Sequence, residues 1–353
     1  MGRNHRWLLI SLFLLMLPRA VPAFGDFADF FASWSRAFGW FTDENSGQSL
    51  FPILSIPLGG RYEGMGTAYA AVADDGALLE ANPAGSSTLA GSELSFYHRN
   101  WIADGWVEGF SFCSRFRGFG WGIGTKLFYE PFTAYDGSGE RTAKGYFIEA
   151  LATANASANL LPENPYVGLA VGANLKALLR YVSPELLENQ SAVALPLDVG
   201  LLGRFRIPGR VRPGEKNLAF AIVLRNLGQE VQPLDYPLPT TISAGLAYFP
   251  IPPLLFALDM NLPISFEPSS FPMEQPDLAF GTSVRLTRFL SMHAGAHLVS
   301  DNPRFSLGTI LTKGRTSFTL NYNADLMGGL NPADLFSAAV TLDLSKDREV
   351  PGE

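Results

Sequence analysis

From residue 92 to residue 344 the chain alternates hydrophobic and polar positions with the two-residue period of a β-strand. Thr316, Phe318, Leu320 and Tyr322 take one face, and Ser317, Thr319, Asn321 and Asn323 take the other. Between Val167 and Arg180 the outward set runs through Val171, Leu175 and Leu179, and the inward set ends in Lys176, Leu178 and Arg180. In 277–287, Leu278, Phe280, Thr282, Val284 and Leu286 oppose Asp277, Ala279, Gly281, Ser283 and Arg285. Fourteen such segments follow one another, from 92–100 to 334–344, among them 119–130, 145–157, 166–181, 191–206 and 276–288. Connections on one side of the set are long on average and those on the other short, the asymmetry of an outer-membrane barrel. A soluble sandwich would also alternate, but its outer faces would carry more charge. The pattern predicts an all-β fold: a transmembrane 14-stranded antiparallel β-barrel over 92–344.

Upstream the period changes. Arg3, His5 and Arg6 precede the apolar run Trp7–Leu17, and Val21-Pro22-Ala23 places small residues at a cleavage point. Residues 1–23 therefore read as a signal peptide cleaved near Ala23, since a spanning helix needs roughly 20 apolar residues. In 24–57, Phe27, Phe30, Phe31, Trp34, Phe38 and Phe41 recur at helical steps, which predicts a short N-terminal aromatic helix followed by a polar linker at 43–49. Its apolar stripe fits packing on the protein's own core, a membrane surface, or a periplasmic protein partner docked through residues 24–41. Residues 58–91 are rich in Gly and Ala and follow neither period. There Asp75 is placed to cap a short helix that Asn82-Pro83 ends. Asp74 and Asp75 have only Glu80 as a further acid nearby, so capping and a salt bridge account for them better than a metal does. Residues 345–353 form a polar C-terminal tail.

Composition narrows the function. The chain has 353 residues and is 47% hydrophobic but only 17% charged, with a formal charge of −7. That is too apolar for disorder, and its acidic balance argues against nucleic acid as a partner. Cys113 is the one cysteine and there are four histidines, which leaves no disulfide framework and no Cys-rich metal site. No nucleophile stands in a recognisable catalytic setting. The expectation is a protein that is not an enzyme and carries no cofactor or metal.

The run Gly60-Arg61, Met65-Gly66, Ala68, Ala73-Asp74-Asp75 and Asn82-Pro83-Ala84-Gly85, followed at once by strands, resembles the start of FadL-type proteins. That family moves long-chain fatty acids and other hydrophobic compounds across the outer membrane. More narrowly the chain resembles an uncharacterised spirochaetal group of FadL-like proteins. The resemblance implies a hatch at 58–91 that plugs the barrel, with Asn82, Pro83 and Ala84 as the matching hatch motif. It also implies the outer membrane of a diderm bacterium, surrounding outer-membrane lipid, and a long-chain fatty acid or other lipophile as ligand. Two departures stand out: an aromatic segment precedes the hatch, and the last strand ends on Leu344 rather than on an aromatic residue. A second reading in another class is a FadL-like barrel that serves as a structural or docking component for secretion or surface attachment of a protein partner.

A fatty-acid site needs an apolar slot and one or two cations for the carboxylate. The inward phase carries Lys126, Lys176, Arg180, Arg204, Arg225 and Arg285, together with Asp198, Asp277, His293, His297 and Asp343. Lys176, Arg180 and Arg285 are the candidate carboxylate contacts, the first two because they lie on one face near the outer end of their strand. The competing expectation is that these cations and acids pair across the lumen. His293 and His297 share a face but lack a third ligand.

Overall fold

The computed structural model describes residues 51–184, 191–208, 215–228, 238–264, 276–299, 303–325 and 333–345. The strands are β1 (Glu93–Asn100), β2 (Trp106–Phe116), β3 (Phe119–Tyr135), β4 (Arg141–Asn159), β5 (Val167–Val182), β6 (Ala192–Ala194) and β7 (Leu197–Phe205). They continue through β8 (Leu218–Leu227), β9 (Thr241–Ile251), β10 (Leu254–Pro263), β11 (Asp277–Arg285), β12 (Leu290–Leu298), β13 (Arg304–Lys313), β14 (Thr316–Asp325) and β15 (Ala333–Asp343). Both β6 and β7 pair with β5, so they are one strand interrupted at Leu195-Pro196, where proline has no N–H for the ladder. Each strand pairs antiparallel with its neighbours in sequence, and β15 returns to β1, with Glu93 opposite Asp343. The result is a closed barrel of fourteen staves, as the alternation predicts. Closure leaves no unpaired edge, which is what a sheet needs to sit in a bilayer.

The two faces are inverted relative to a soluble protein. Phe96, Trp121, Ile123, Leu175, Ile222, Phe256, Phe280 and Phe318 are among the exposed side chains, while Asn155, Asn174, Ser243, Asn261 and Asn321 are buried. Apolar residues outside and amides inside are the arrangement that lipid outside and a polar lumen require.

Two departures from the expected boundaries have local causes. The segments expected at 119–130 and 145–157 run on to Tyr135 and begin at Arg141, so a hairpin stands beyond the neighbouring strands. Pro131 suggests a stop but is carried within this hairpin, and the turn is held by Asp136. The Asp136 carboxylate accepts the N–H groups of Ser138 and Glu140, each at 2.9 Å, and Gly139 supplies the positive φ of 83°. The segment expected at 276–288 ends at Arg285, because Thr287 turns the chain by accepting from Phe289 and Leu290 N–H groups. There the alternation also breaks: Val284 is buried and Arg285 exposed, the reverse of the inward phase read for Arg285.

Inside the barrel lies residues 51–91. The order is a 3₁₀ turn Pro52–Leu54, α1 (Gly60–Gly64), α2 (Leu78–Ala81) and a 3₁₀ turn Pro83–Thr88. Phe51, Ile53, Met65, Tyr69, Leu78 and Ala84 are wholly or almost wholly buried. The packed segment thus already includes Phe51–Pro57, which the sequence reading grouped with the aromatic stretch. The expected aromatic helix and the signal peptide lie outside the described residues.

Arginine in place of the outward Leu320, near the middle of β14, should destabilise the barrel by about 2–4 kcal/mol, and by only about 0–1 kcal/mol in place of Leu344 at the end. Reversible urea unfolding in lipid vesicles measures both; equal costs would refute the membrane-facing assignment.

Candidate functional site

The inner segment has little regular structure, so its backbone polar groups must find partners in the wall. Asp259 on β10 accepts the N–H groups of Tyr69 and Ala70 at 2.7 and 2.8 Å. Asn321 on β14 donates to the Gly60 carbonyl at 2.7 Å, and Asn174 on β5 to the Leu79 carbonyl at 2.9 Å. On β4, Asn155 donates to the Pro83 carbonyl at 3.0 Å while Ser157 accepts the Ser87 N–H at 2.7 Å. Arg204 on β7 donates to the Val72 carbonyl at 3.1 Å.

Asn82 does local and distant work together. Its Oδ1 accepts the Ala84 N–H at 3.0 Å and starts the turn over Pro83, while its amide donates to the Ala70 carbonyl at 2.9 Å and the Leu201 carbonyl at 3.2 Å. Its own backbone is extended, as the following proline demands. Side chains at Gly172 and Gly200 would collide with Pro83 and Asn82, so the close approach of this turn depends on those two wall glycines.

The paired acids fall as the sequence suggests. Asp74 holds Arg61 at 3.1 Å, and Asp75 accepts the Ala77 N–H at 3.1 Å ahead of α2. Tyr69 donates to both acids. Burial and the charge of Asp74 hold the Asp75 carboxyl above its ordinary value.

The half of the lumen toward the long connections is apolar in part. Phe51, Ile53, Ile56 and Leu58 pack with Tyr97, Val107, Phe128, Phe147, Leu151, Leu178 and Val182 from β1 to β5. Around this cluster stands a layer of charge. Glu63 pairs with Arg99, Glu80 with Lys126 at 2.5 Å, and Asp198 with Lys176 at 2.7 Å. Lys176 also donates to Asn226 at 2.9 Å, and Arg225 to Asn261 at 2.7 Å. Arg180 lies over the Phe147 ring at 4.7 Å and stands opposite Glu149 in the ladder. Lys176 and Arg180 therefore do border the apolar cluster, with Lys176 engaged by an acid. Arg285 does not join them: it is exposed at the other end of the barrel, where β11 turns into β12. His293 donates from Nε2 to the Asn321 Oδ1 at 2.7 Å, and His297 meets Asp277 at 2.8 Å, so the two rings serve separate partners. Asp343 accepts the Ser345 N–H beyond the last strand, away from the lumen centre. Sequence reasoning missed Glu63, Glu80, Glu149 and Asp259 as lumen partners; the signal each offered is that of an acid among apolar or small neighbours.

Comparisons agree with this architecture. The model of the uncharacterised protein family UPF0164 matches residues 32–347, and the chain belongs to that family. A UPF0164 protein of Treponema pallidum (strain Nichols) is 27% identical over 297 residues, covering 80% of this chain and 66% of that one. A second from the same organism is 30% identical over 187 residues, covering 50% of this chain and 35% of its own length. The chain thus spans less than two thirds of these relatives. Among solved structures, the Ralstonia pickettii toluene transporter TbuX aligns with a TM-score of 0.55 at 11% identity, covering 80% of this chain and 97% of that one. The CymD monoaromatic hydrocarbon channel gives 0.55 at 12% identity, covering 84% and 99%. The shared fold is the FadL-type barrel.

Valine at both Gly172 and Gly200 should unseat the Asn82-Pro83 turn while leaving the barrel closed. Single-channel recording in planar bilayers should then show ion conductance well above that of the parent. Unchanged conductance from a barrel that still shows heat-modifiable migration would mean that the wall glycines do not seat the inner segment.

Proposed function

We propose that this UPF0164 chain is an outer-membrane barrel that takes up long-chain fatty acids or similar lipophiles, with residues 58–91 acting as its hatch. The observation that carries the reading is the apolar cluster in the lumen, filled by the chain's own Phe51, Ile53 and Ile56 and bordered by cations. An enclosed apolar slot with a few polar groups beside it is the ordinary form of a site for a hydrophobic ligand. Similarity in fold to a toluene transporter and a monoaromatic hydrocarbon channel supports the same class of cargo.

On this reading Phe51–Leu58 is a strap that holds the place of the ligand's hydrocarbon. Arg180, over Phe147 at the edge of the slot, meets the carboxylate, and Lys176 lies deeper, already balanced by Asp198. An entering chain displaces the strap, and the hatch turn at Asn82, Pro83 and Ala84 shifts to let it leave on the periplasmic side.

Affinity of the folded barrel in detergent should rise along a fatty-acid series of about eight to about eighteen carbons, by up to ~0.8 kcal/mol per buried CH₂. Removal of the cation in Arg180→Ala should weaken the acids and leave the matching alcohols unaffected. Ile53→Ala, which loosens the strap, should tighten binding of every member. Absence of saturable binding, or a series flat in chain length, would overturn the uptake reading.

A further inference from the structure

At the end of the barrel away from the strap, a second cavity of about 240 Å³ opens between the inner segment and the wall. Its lining is Thr88, Arg115, Asn159, Gly168, Arg204 and Lys216, with Leu202 as an apolar floor. Three cations therefore converge on one polar recess from the ends of β2 and β7 and the approach to β8. The lining contains no acid.

The cations are held but not neutralised. Arg115 donates to the carbonyls of Leu89 and Arg117, both at 2.9 Å, and Arg204 to the Val72 carbonyl at 3.1 Å. None of the three is a member of an ion pair among the described residues. Asp74 is within electrostatic reach of Arg204, but it is held by Arg61 at 3.1 Å. A side chain at Gly168 would approach the Lys216 ammonium to 3.3 Å, so this glycine gives the lysine room above the wall. Burial and the neighbouring Arg204 guanidinium hold the Lys216 ammonium below the ordinary lysine value.

Along the chain, Arg204, Arg206 and Lys216 stand close together, with Glu215 beside Lys216, in a chain whose net charge is −7. Beside the recess, the connection that contributes Pro162 exposes Leu160, Leu161 and Tyr166, at 53%, 38% and 62%. Apolar side chains next to a cationic recess fit a ligand with an anionic head and a hydrocarbon tail, at the level where aromatic residues line a barrel's membrane interface.

We infer that this recess is an anion site, built by Arg115, Arg204 and Lys216, for a phosphate or carboxylate group carried on an aliphatic tail. Two or three cations converging on one oxyanion give charge-assisted bonds of the strong kind, and a recess of this size admits the group together with water. The site stands apart from the strap and its slot, and does not require the uptake reading to hold.

The test is titration of the folded full-length protein with inorganic phosphate, octyl phosphate and octanol, followed by calorimetry at low and high salt. Phosphate and octyl phosphate should bind saturably, weaken with salt, and lose about tenfold or more in affinity in the double variant Arg204→Gln, Lys216→Gln. Lys313→Gln, at an exposed position outside the recess, should change nothing. Octyl phosphate binding well above inorganic phosphate is the expected result and points to a lipid headgroup as the occupant, whereas equal binding overturns the tail and leaves a free small anion. Reconstitution in nanodiscs with and without phosphatidylglycerol, read by native mass spectrometry, should show retention of the anionic lipid in the first case only. No saturable binding of either phosphate, or binding indifferent to the double variant in a barrel shown to be folded, overturns the site. Octanol tests the apolar slot separately, so failure there leaves this result intact.

Discussion

An irregular stretch of backbone inside a membrane barrel is stable only where its N–H and C=O groups are met, because neither lipid nor a packed lumen offers water to do so. That constraint explains the polar residues on the inward faces of β4, β5, β10 and β14. Asp259, Asn321, Asn174, Asn155 and Ser157 each reach a particular backbone group of residues 60–87. Asparagine, aspartate and glycine are poor strand formers on propensity alone. Here they recur on the inner face because the wall must both bond to the inner segment and come close to it. The outer face, with no such duty, keeps the branched and aromatic residues that strands prefer.

Charge follows the same logic at higher cost. Glu63–Arg99 and Glu80–Lys126 join the inner segment to the wall, whereas Asp198–Lys176 joins wall to wall. Buried pairs add little net stability, since desolvation consumes most of their attraction, but losing one partner strands the other. Their effect is on position more than on stability: the acids at 63 and 80 each sit beside one particular wall cation. Amide and hydroxyl contacts seat the segment, and the ion pairs fix which way it is seated.

The barrel was legible in the sequence because lipid imposes a period of two over the whole length of a strand, and the interrupted strand over 191–206 kept that period through Pro196. The local bonds of Asn82 were legible too, since an Asn-Pro pair satisfies its neighbours within a few residues. Partners across the lumen were not. Glu63 and Arg99, or Asn321 and Gly60, are brought together only by closure of the barrel, and no local pattern marks them. Arg285 is the last residue of its strand, where the burial pattern no longer follows the alternation and the Thr287 turn comes next, and nothing in the local sequence marks that change. Phe51–Pro57 was grouped with the aromatic stretch before it because a short apolar run has no period of its own. Its place was set by the pocket it fills.

That last point bears on how an uptake barrel would choose its cargo. Phe51, Ile53 and Ile56 are buried to within a few per cent, and exposing each would cost about 1.5–3 kcal/mol. A solute that enters the slot must therefore return a comparable burial of apolar surface or the strap will not yield. A long aliphatic chain offers that surface, and a small polar solute does not. Selection then needs no dedicated recognition of the hydrocarbon: it follows from exchange of one apolar occupant for another inside walls that are otherwise polar. A head group would be read separately, by cations whose positions the barrel fixes, and the strength of that reading would depend on which of them the protein's own acids have already claimed.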